Sequence, residues 1–184
     1  EEKARLIAEM EDTPASRVQH QVTLRQLLFH LQDLARLQDE PLEVLDAGCW
    51  TAEVSLQLAG RGYRVTVLEP SSCLLQGVEE RARRELPAGC PGLSFLNQRI
   101  EDLEGCQDER FDLVLCHQTV EYLDDPLRAM EIITRMLRPR GLLSLVFRNR
   151  YGEAGYAALA GRDAAAALAA LEATDFSSGF GDKP

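Results

Sequence analysis

Hydrophobic positions along the chain alternate between two spacings. Residues 22–37 place Leu24, Leu27, Leu28, Leu31, Leu34 and Leu37 on one helical face, and Pro41 closes that segment. Residues 42–47 (LEVLDA) then form a short apolar run stopped by Gly48, which predicts a strand. Helical spacing returns over 51–59 and ends at Gly60. The β-branched run 63–68 (YRVTVL) predicts a second strand, and 71–86 a helix with Ser71 or Ser72 as its N-cap. Residues 93–96, 111–116 (FDLVLC) and 142–147 (LLSLVF) predict three more strands. A helix over 126–137 separates the last two; it opens after Asp124-Asp125 and closes at Arg138-Pro139. Residues 1–12 are acidic and helical in pattern, with a break at Thr13-Pro14. Residues 153–172 are alanine-rich and helical, and 177–184 read as loop.

Strands alternating with helices imply βαβ units, right-handed crossovers and a parallel sheet. The expected fold is α/β: a Rossmann-like sheet of five strands with helices on both faces. Residues 1–40 are expected to form an N-terminal helical arm and lid. Residues 41–150 would be the ligand-binding core, and 151–184 a helical insertion and loop.

Composition narrows the function. The chain has 184 residues and a net charge of -10, which disfavours general coating of nucleic acid. No apolar run reaches the roughly 18 residues of a membrane span. Five cysteines without a CxxC pair, and three scattered histidines, fit a reducing, cytoplasmic setting better than a disulfide framework or metal site.

In such sheets ligands bind beyond the carboxyl ends of the strands, where strand order reverses. The first strand ends in Asp46-Ala47-Gly48-Cys49-Trp50, and a glycine there lets backbone approach a ligand closely. The second ends in Glu69, a carboxylate able to accept both hydroxyls of a ribose. Neither GxGxxG nor GxxxxGK[ST] occurs, which disfavours nicotinamide and P-loop chemistry.

The succession DAGCW, VTVLEP, FDLVLCHQTVEYLDDP and LRPRGLLSLVF resembles the class I S-adenosylmethionine-dependent methyltransferases. The resemblance implies a sheet that holds S-adenosylmethionine and in-line methyl transfer from its sulfonium. By it, Gly48, Cys49 and Trp50 lie against the methionine part, near Asp46. Glu69 takes the ribose, Ile100 and Glu101 flank the adenine, and His117 faces the active site. The segments LRQLLFHLQDL, LCHQTVEYLDDP and LSLVFRNRYG are further similar to bacterial members that esterify a carboxylated wobble uridine of tRNA. That likeness implies Arg25 on the cofactor's carboxylate and His117 and Asn149 near the transferred methyl.

Arg148 and Arg150 follow the fifth strand on the ligand face, where they could meet a substrate phosphate. The sequence also departs from the family. Its turn reads Gly48-Cys49-Trp50-Thr51-Ala52 where the family is glycine-rich, and the family's further C-terminal strands are expected beyond residue 184. A small-molecule acceptor, or a non-catalytic binding module on the same fold, are the alternatives.

Overall fold

The computed structural model describes residues 13–86, 92–106 and 108–173. The helical reading of 1–12 and the loop reading of 177–184 lie outside them. Five strands form one parallel sheet in the order β3-β2-β1-β4-β5: β1 (Glu43–Ala47), β2 (Arg64–Leu68), β3 (Leu93–Leu96), β4 (Phe111–His117) and β5 (Leu137–Val146). The expected Rossmann-like architecture is therefore present. Connections step from β1 outward to β2 and β3, then return to β4 on the other side of β1. Strand order thus reverses between β1 and β4, which opens a crevice at their carboxyl ends.

The central strands are buried on both faces, which explains their continuous apolar runs. One face carries α1 (Pro14–Ala35), α2 (Glu53–Ala59) and α3 (Ser72–Glu85), with Leu24, Leu31, Leu58 and Val78 packed on Val44, Val65 and Leu113. The other face carries α4 (Pro126–Arg135) and the single turn Ile100–Leu103, with Ile132 and Ile133 against Leu45, Val114 and Cys116. Beyond β5, α5 (Arg150–Leu159) and α6 (Ala164–Glu172) pack on each other.

Three boundaries differ from the pattern reading. Helix α1 starts at Pro14, because Thr13 caps it through a reciprocal pair with Ser16 and Pro14 fills the first position, where no N–H is needed. Helix α4 stops at Arg135, and β5 begins directly at Leu137. Strand β5 absorbs Arg138-Pro139-Arg140 through a register shift against Phe111 and Leu113, with Arg140 at φ 71. The alanine-rich tail is two helices, broken at Gly161-Arg162.

At the amino ends of the strands one carboxylate ties three of them. Asp112 Oδ2 accepts from the Glu43 backbone N–H (2.8 Å) and from Arg138 Nη1 (2.7 Å). This clasp joins β4 to β1 and β5 at the end opposite the crevice.

Candidate active site

The crevice at the strand reversal offers about 460 Å³ of free space, open to solvent. Its floor is the turn after β1, with Asp46, Gly48, Cys49 and Trp50. One wall is the end of β4, with His117 and Gln118, and Val146 of β5 lies beside it. Helix α1 covers it with Gln19, His20 and Thr23.

The backbone here is held in left-handed conformations at Gly48 (φ 86), Trp50 (φ 47), Ala52 (φ 52) and Gln118 (φ 52). Three of the four carry side chains, which disfavour this region, and such strain concentrates at functional sites. Packing sustains it. The Gly48 N–H donates to the Leu68 carbonyl (2.9 Å). The Thr119 hydroxyl reaches the carbonyls of Gly48 (3.1 Å) and His117 (3.0 Å). The Trp50 indole lies against the Tyr122 ring, with centroids 5.2 Å apart and planes at 54°.

Electrostatically the floor is acidic. Asp46 is buried and accepts from the Ser55 hydroxyl at 2.6 Å. Burial pushes its carboxyl up to about 6, against the lowering effect of that bond, and the nearby Glu69 charge adds to the rise. Glu69 is also buried; its Oε1 accepts from the Ser71 N–H at 2.9 Å, while Asn97 fixes its backbone by donating to the Glu69 carbonyl (2.8 Å). Burial, with Asp46 and Glu69 nearby, pushes the Cys49 thiol up, so it is inert as a nucleophile. Glu53 at the rim is held below the ordinary glutamate range by the Arg81 guanidinium and Gln57, which outweigh its partial burial. Glu121, in the turn after Thr119, has both carboxylate oxygens buried without a hydrogen-bond partner.

His117 is kept neutral. Burial pulls its imidazole down to about 4, and Nε2 sits 2.8 Å from the Ser144 hydroxyl of β5. A neutral ring pinned on one nitrogen suits orientation of a partner better than proton abstraction.

The structure gathers Asp46, Gly48, Cys49, Trp50 and His117 around one crevice, with Glu69 at the neighbouring strand end. The other assigned residues lie outside the crevice lining. Arg25 is exposed and lines no part of the crevice; the helix presents Gln19, His20 and Thr23 there, and Arg25 lies more than half a turn beyond Thr23. Asn149 is the N-cap of α5: its Oδ1 accepts from the Tyr151 and Gly152 N–H groups (3.1 Å each). Arg148 is paired with Glu153 (2.7 Å), and Arg150 stacks on Tyr151 (5.4 Å to the centroid). Ile100 is buried in the α4-side core, and Glu101 pairs with Arg99 (3.2 Å). Gly48 is also required for a different reason than expected. A Cβ there would lie 2.4 Å from Thr119 Oγ1, so the glycine admits Thr119 as much as any ligand.

His20, Thr119, Ser144 and Tyr122 went unrecognised in the sequence. For His20 a signal existed: Thr13-Pro14 followed by Ser16 is a helix start, which would have carried α1 across residue 20.

A parallel α/β sheet with buried acids at the carboxyl ends of β1 and β2 and a left-handed turn between β1 and its helix is the architecture of the α/β proteins that bind ligands at a strand reversal. Residues 45–145, more than half of the chain, match the family described as Methyltransferase domain. The chain belongs to that family, the S-adenosylmethionine-dependent methyltransferases.

It is 29% identical over 119 residues to the tRNA 5-carboxymethoxyuridine methyltransferase of Escherichia coli, covering 65% of this chain and 45% of that one. It is 30% identical over 139 residues to a ubiquinone biosynthesis O-methyltransferase of Xanthomonas oryzae, covering 73% and 54%. A solved S-adenosylmethionine-dependent methyltransferase from Methanosarcina mazei superposes with a TM-score of 0.51 at 28% identity, covering 61% and 55%. The chain spans about half the length of the curated relatives it matches.

The residues present fit the family's cofactor. Asp46 and Glu69 are buried acids, the Glu69 charge raises the cost of ionising Asp46, and among the described residues no arginine or lysine lines the crevice. Such a site favours hydrogen-bond donors and positive charge. S-adenosylmethionine has both, in its ribose hydroxyls, ammonium and sulfonium. No described helix is long and apolar enough to cross a membrane.

Proposed function

We propose that this chain transfers a methyl group from S-adenosylmethionine to a small nucleophile held at the mouth of the crevice. The observation that carries this is the pair of buried acids, Asp46 and Glu69, on adjacent parallel strands beside the left-handed turn at Gly48. Glu69 accepts the ribose hydroxyls. Asp46, fixed by Ser55, sets the charge of the floor. Ile100 and Glu101, after β3, flank the adenine. S-adenosylmethionine supplies an electrophilic methyl carbon when bound. The chain supplies proximity and alignment, and His117 orients the acceptor through its neutral ring.

The acceptor is a carboxylated wobble uridine of tRNA. Similarity to the Escherichia coli enzyme supports this reading, as do Arg148 and Arg150 beyond β5, available to phosphate once released from Glu153 and Tyr151. A carboxylate is already ionised at neutral pH, so a non-basic His117 suffices. Similarity to the Xanthomonas oryzae enzyme supports a second reading, a small phenolic acceptor.

Calorimetric titration with S-adenosylmethionine and S-adenosylhomocysteine tests the cofactor site. Micromolar binding, lost in Glu69→Ala, is expected; absence of binding sinks the reading. Methyl incorporation is then measured into tRNA bearing 5-carboxymethoxyuridine and into a polyprenyl phenol. Transfer to the tRNA alone is expected. Transfer only to the phenol selects the second reading, and binding without transfer to either selects a non-catalytic module.

A further inference from the structure

Trp50 stands where a small residue would leave the crevice wider. It is the sole tryptophan of the chain and, among the described residues, the only aromatic carbocycle lining the crevice. Its backbone holds a left-handed φ of 47, which an indole does not favour, and its ring rests on Tyr122 across the strand reversal. A strained, supported aromatic beside a buried carboxylate is a recognisable combination: a π face and an anion together select a compact, weakly hydrated cation.

We propose that Trp50, supported by Tyr122, recognises the positive charge of the cofactor's sulfonium and so separates the methyl donor from its uncharged demethylated product. The inference rests on the cofactor reading above. Before transfer, the charged centre gains from the indole and from Asp46. Transfer removes the methyl group and leaves a neutral thioether, which gains neither attraction, so the spent cofactor is held less tightly. Arg81 neutralises Glu53 at the rim, so the indole and Asp46 are left to sense the charge from the floor.

Dissociation constants for S-adenosylmethionine, S-adenosylhomocysteine and an analogue bearing an amine in place of the methyl sulfonium test this. They are measured by calorimetry for the wild type, Trp50→Leu and Trp50→Phe. Trp50→Leu is expected to weaken both charged ligands by roughly 3- to 30-fold and the neutral thioether by less than about 2-fold. Trp50→Phe, which keeps a π face, should retain most of the discrimination.

Tyr122→Leu leaves the indole in place and removes its support, and provides a second test should the Trp50 variants fold poorly. It should shift the same ratio in the same direction by a smaller factor. Emission of the wild-type tryptophan should respond more strongly to the charged ligands than to the thioether. Equal weakening of all three ligands would reduce Trp50 to a steric wall, and tighter binding of all three would make it an obstruction; either overturns the inference while leaving the cofactor reading intact. Failure of the wild type to bind any of them overturns both.

Discussion

The Thr119 side chain lies directly over the α-carbon of Gly48, its hydroxyl 3.1 Å from the Gly48 carbonyl. This contact locks the turn after β4 to the turn after β1 across the strand reversal. A Cβ at position 48 would meet Thr119 Oγ1 at 2.4 Å and Cγ2 at 2.5 Å, at a φ of 86. Gly48→Ala is therefore expected to cost at least about 2 kcal/mol from strain alone. Thr119→Ala should cost about 1 kcal/mol through loss of the hydrogen bond that its one hydroxyl proton shares between the Gly48 and His117 carbonyls. Because truncating Thr119 removes the two closest atoms and leaves only its Cβ at 3.0 Å, the double variant should be less destabilised than the sum by about 0.5–1 kcal/mol. Urea titrations of the four proteins measure this; strict additivity would show that the contact does not constrain the turn.

The strands and most helices were legible because they are fixed by burial. Val44, Leu45, Val114 and Leu115 are inaccessible from both faces, and such runs have few alternatives. The site was half legible. Asp46, Gly48 and Glu69 sit at strand ends, where sequence position and location in the fold coincide. Trp50 was legible as a neighbour, but its left-handed backbone was not, since an indole carries no local signal for that conformation. Thr119 and Ser144 act by touching residues from other strands, 71 and 27 positions away, and no local spacing encodes such pairs. Asn149 is legible in two ways, because an asparagine after a strand serves equally well as a helix cap.

Asp112 offers a stability test remote from the crevice. Its Oδ2 gathers the Glu43 N–H and the Arg138 guanidinium at the amino ends of β1 and β5. Asp112→Ala leaves that N–H without its acceptor and should lower stability by about 2 kcal/mol. The urea midpoint should fall with an unchanged slope. Cofactor affinity should stay within about 2-fold, because the clasp lies at the opposite end of the strands. A large loss of affinity would mean that the two ends of the sheet are coupled.

Asn149 separates a cap from a substrate contact. As the N-cap of α5 it needs only an acceptor oxygen, which serine and aspartate also provide. Asn149→Ala should destabilise by about 1 kcal/mol, seen as faster hydrogen exchange in α5. Asn149→Asp and Asn149→Ser should restore stability and leave methyl transfer near the wild-type rate. Stable Asp and Ser variants that transfer no methyl would return the carboxamide to the active site.

Asp46 and His117 give opposing pH dependences over one window. The native Asp46 carboxyl titrates near 6 and its unfolded counterpart near 3.8. Between those values the native state holds a proton that the unfolded state has released, so this group's contribution to stability falls as pH rises from about 4 to 6. His117 behaves inversely. Its native imidazole titrates near 4 and its unfolded one near 6.5, so the unfolded state holds the extra proton and stability rises from about pH 4 to 6.5. Each shift corresponds to about 3 kcal/mol, so the two largely cancel in the wild type. Asp46→Asn removes the falling contribution; relative to the wild type, its stability should climb by up to about 3 kcal/mol across the window. It should also exceed the wild type at pH 7.5, where Asp46 is ionised at a cost, while losing cofactor affinity. His117→Gln removes the rising contribution, and its stability should decline over the same range relative to the wild type. Urea titrations at pH 4.5, 5.5, 6.5 and 7.5 decide the matter: parallel curves for all three proteins would mean that neither group carries its shift in the folded state.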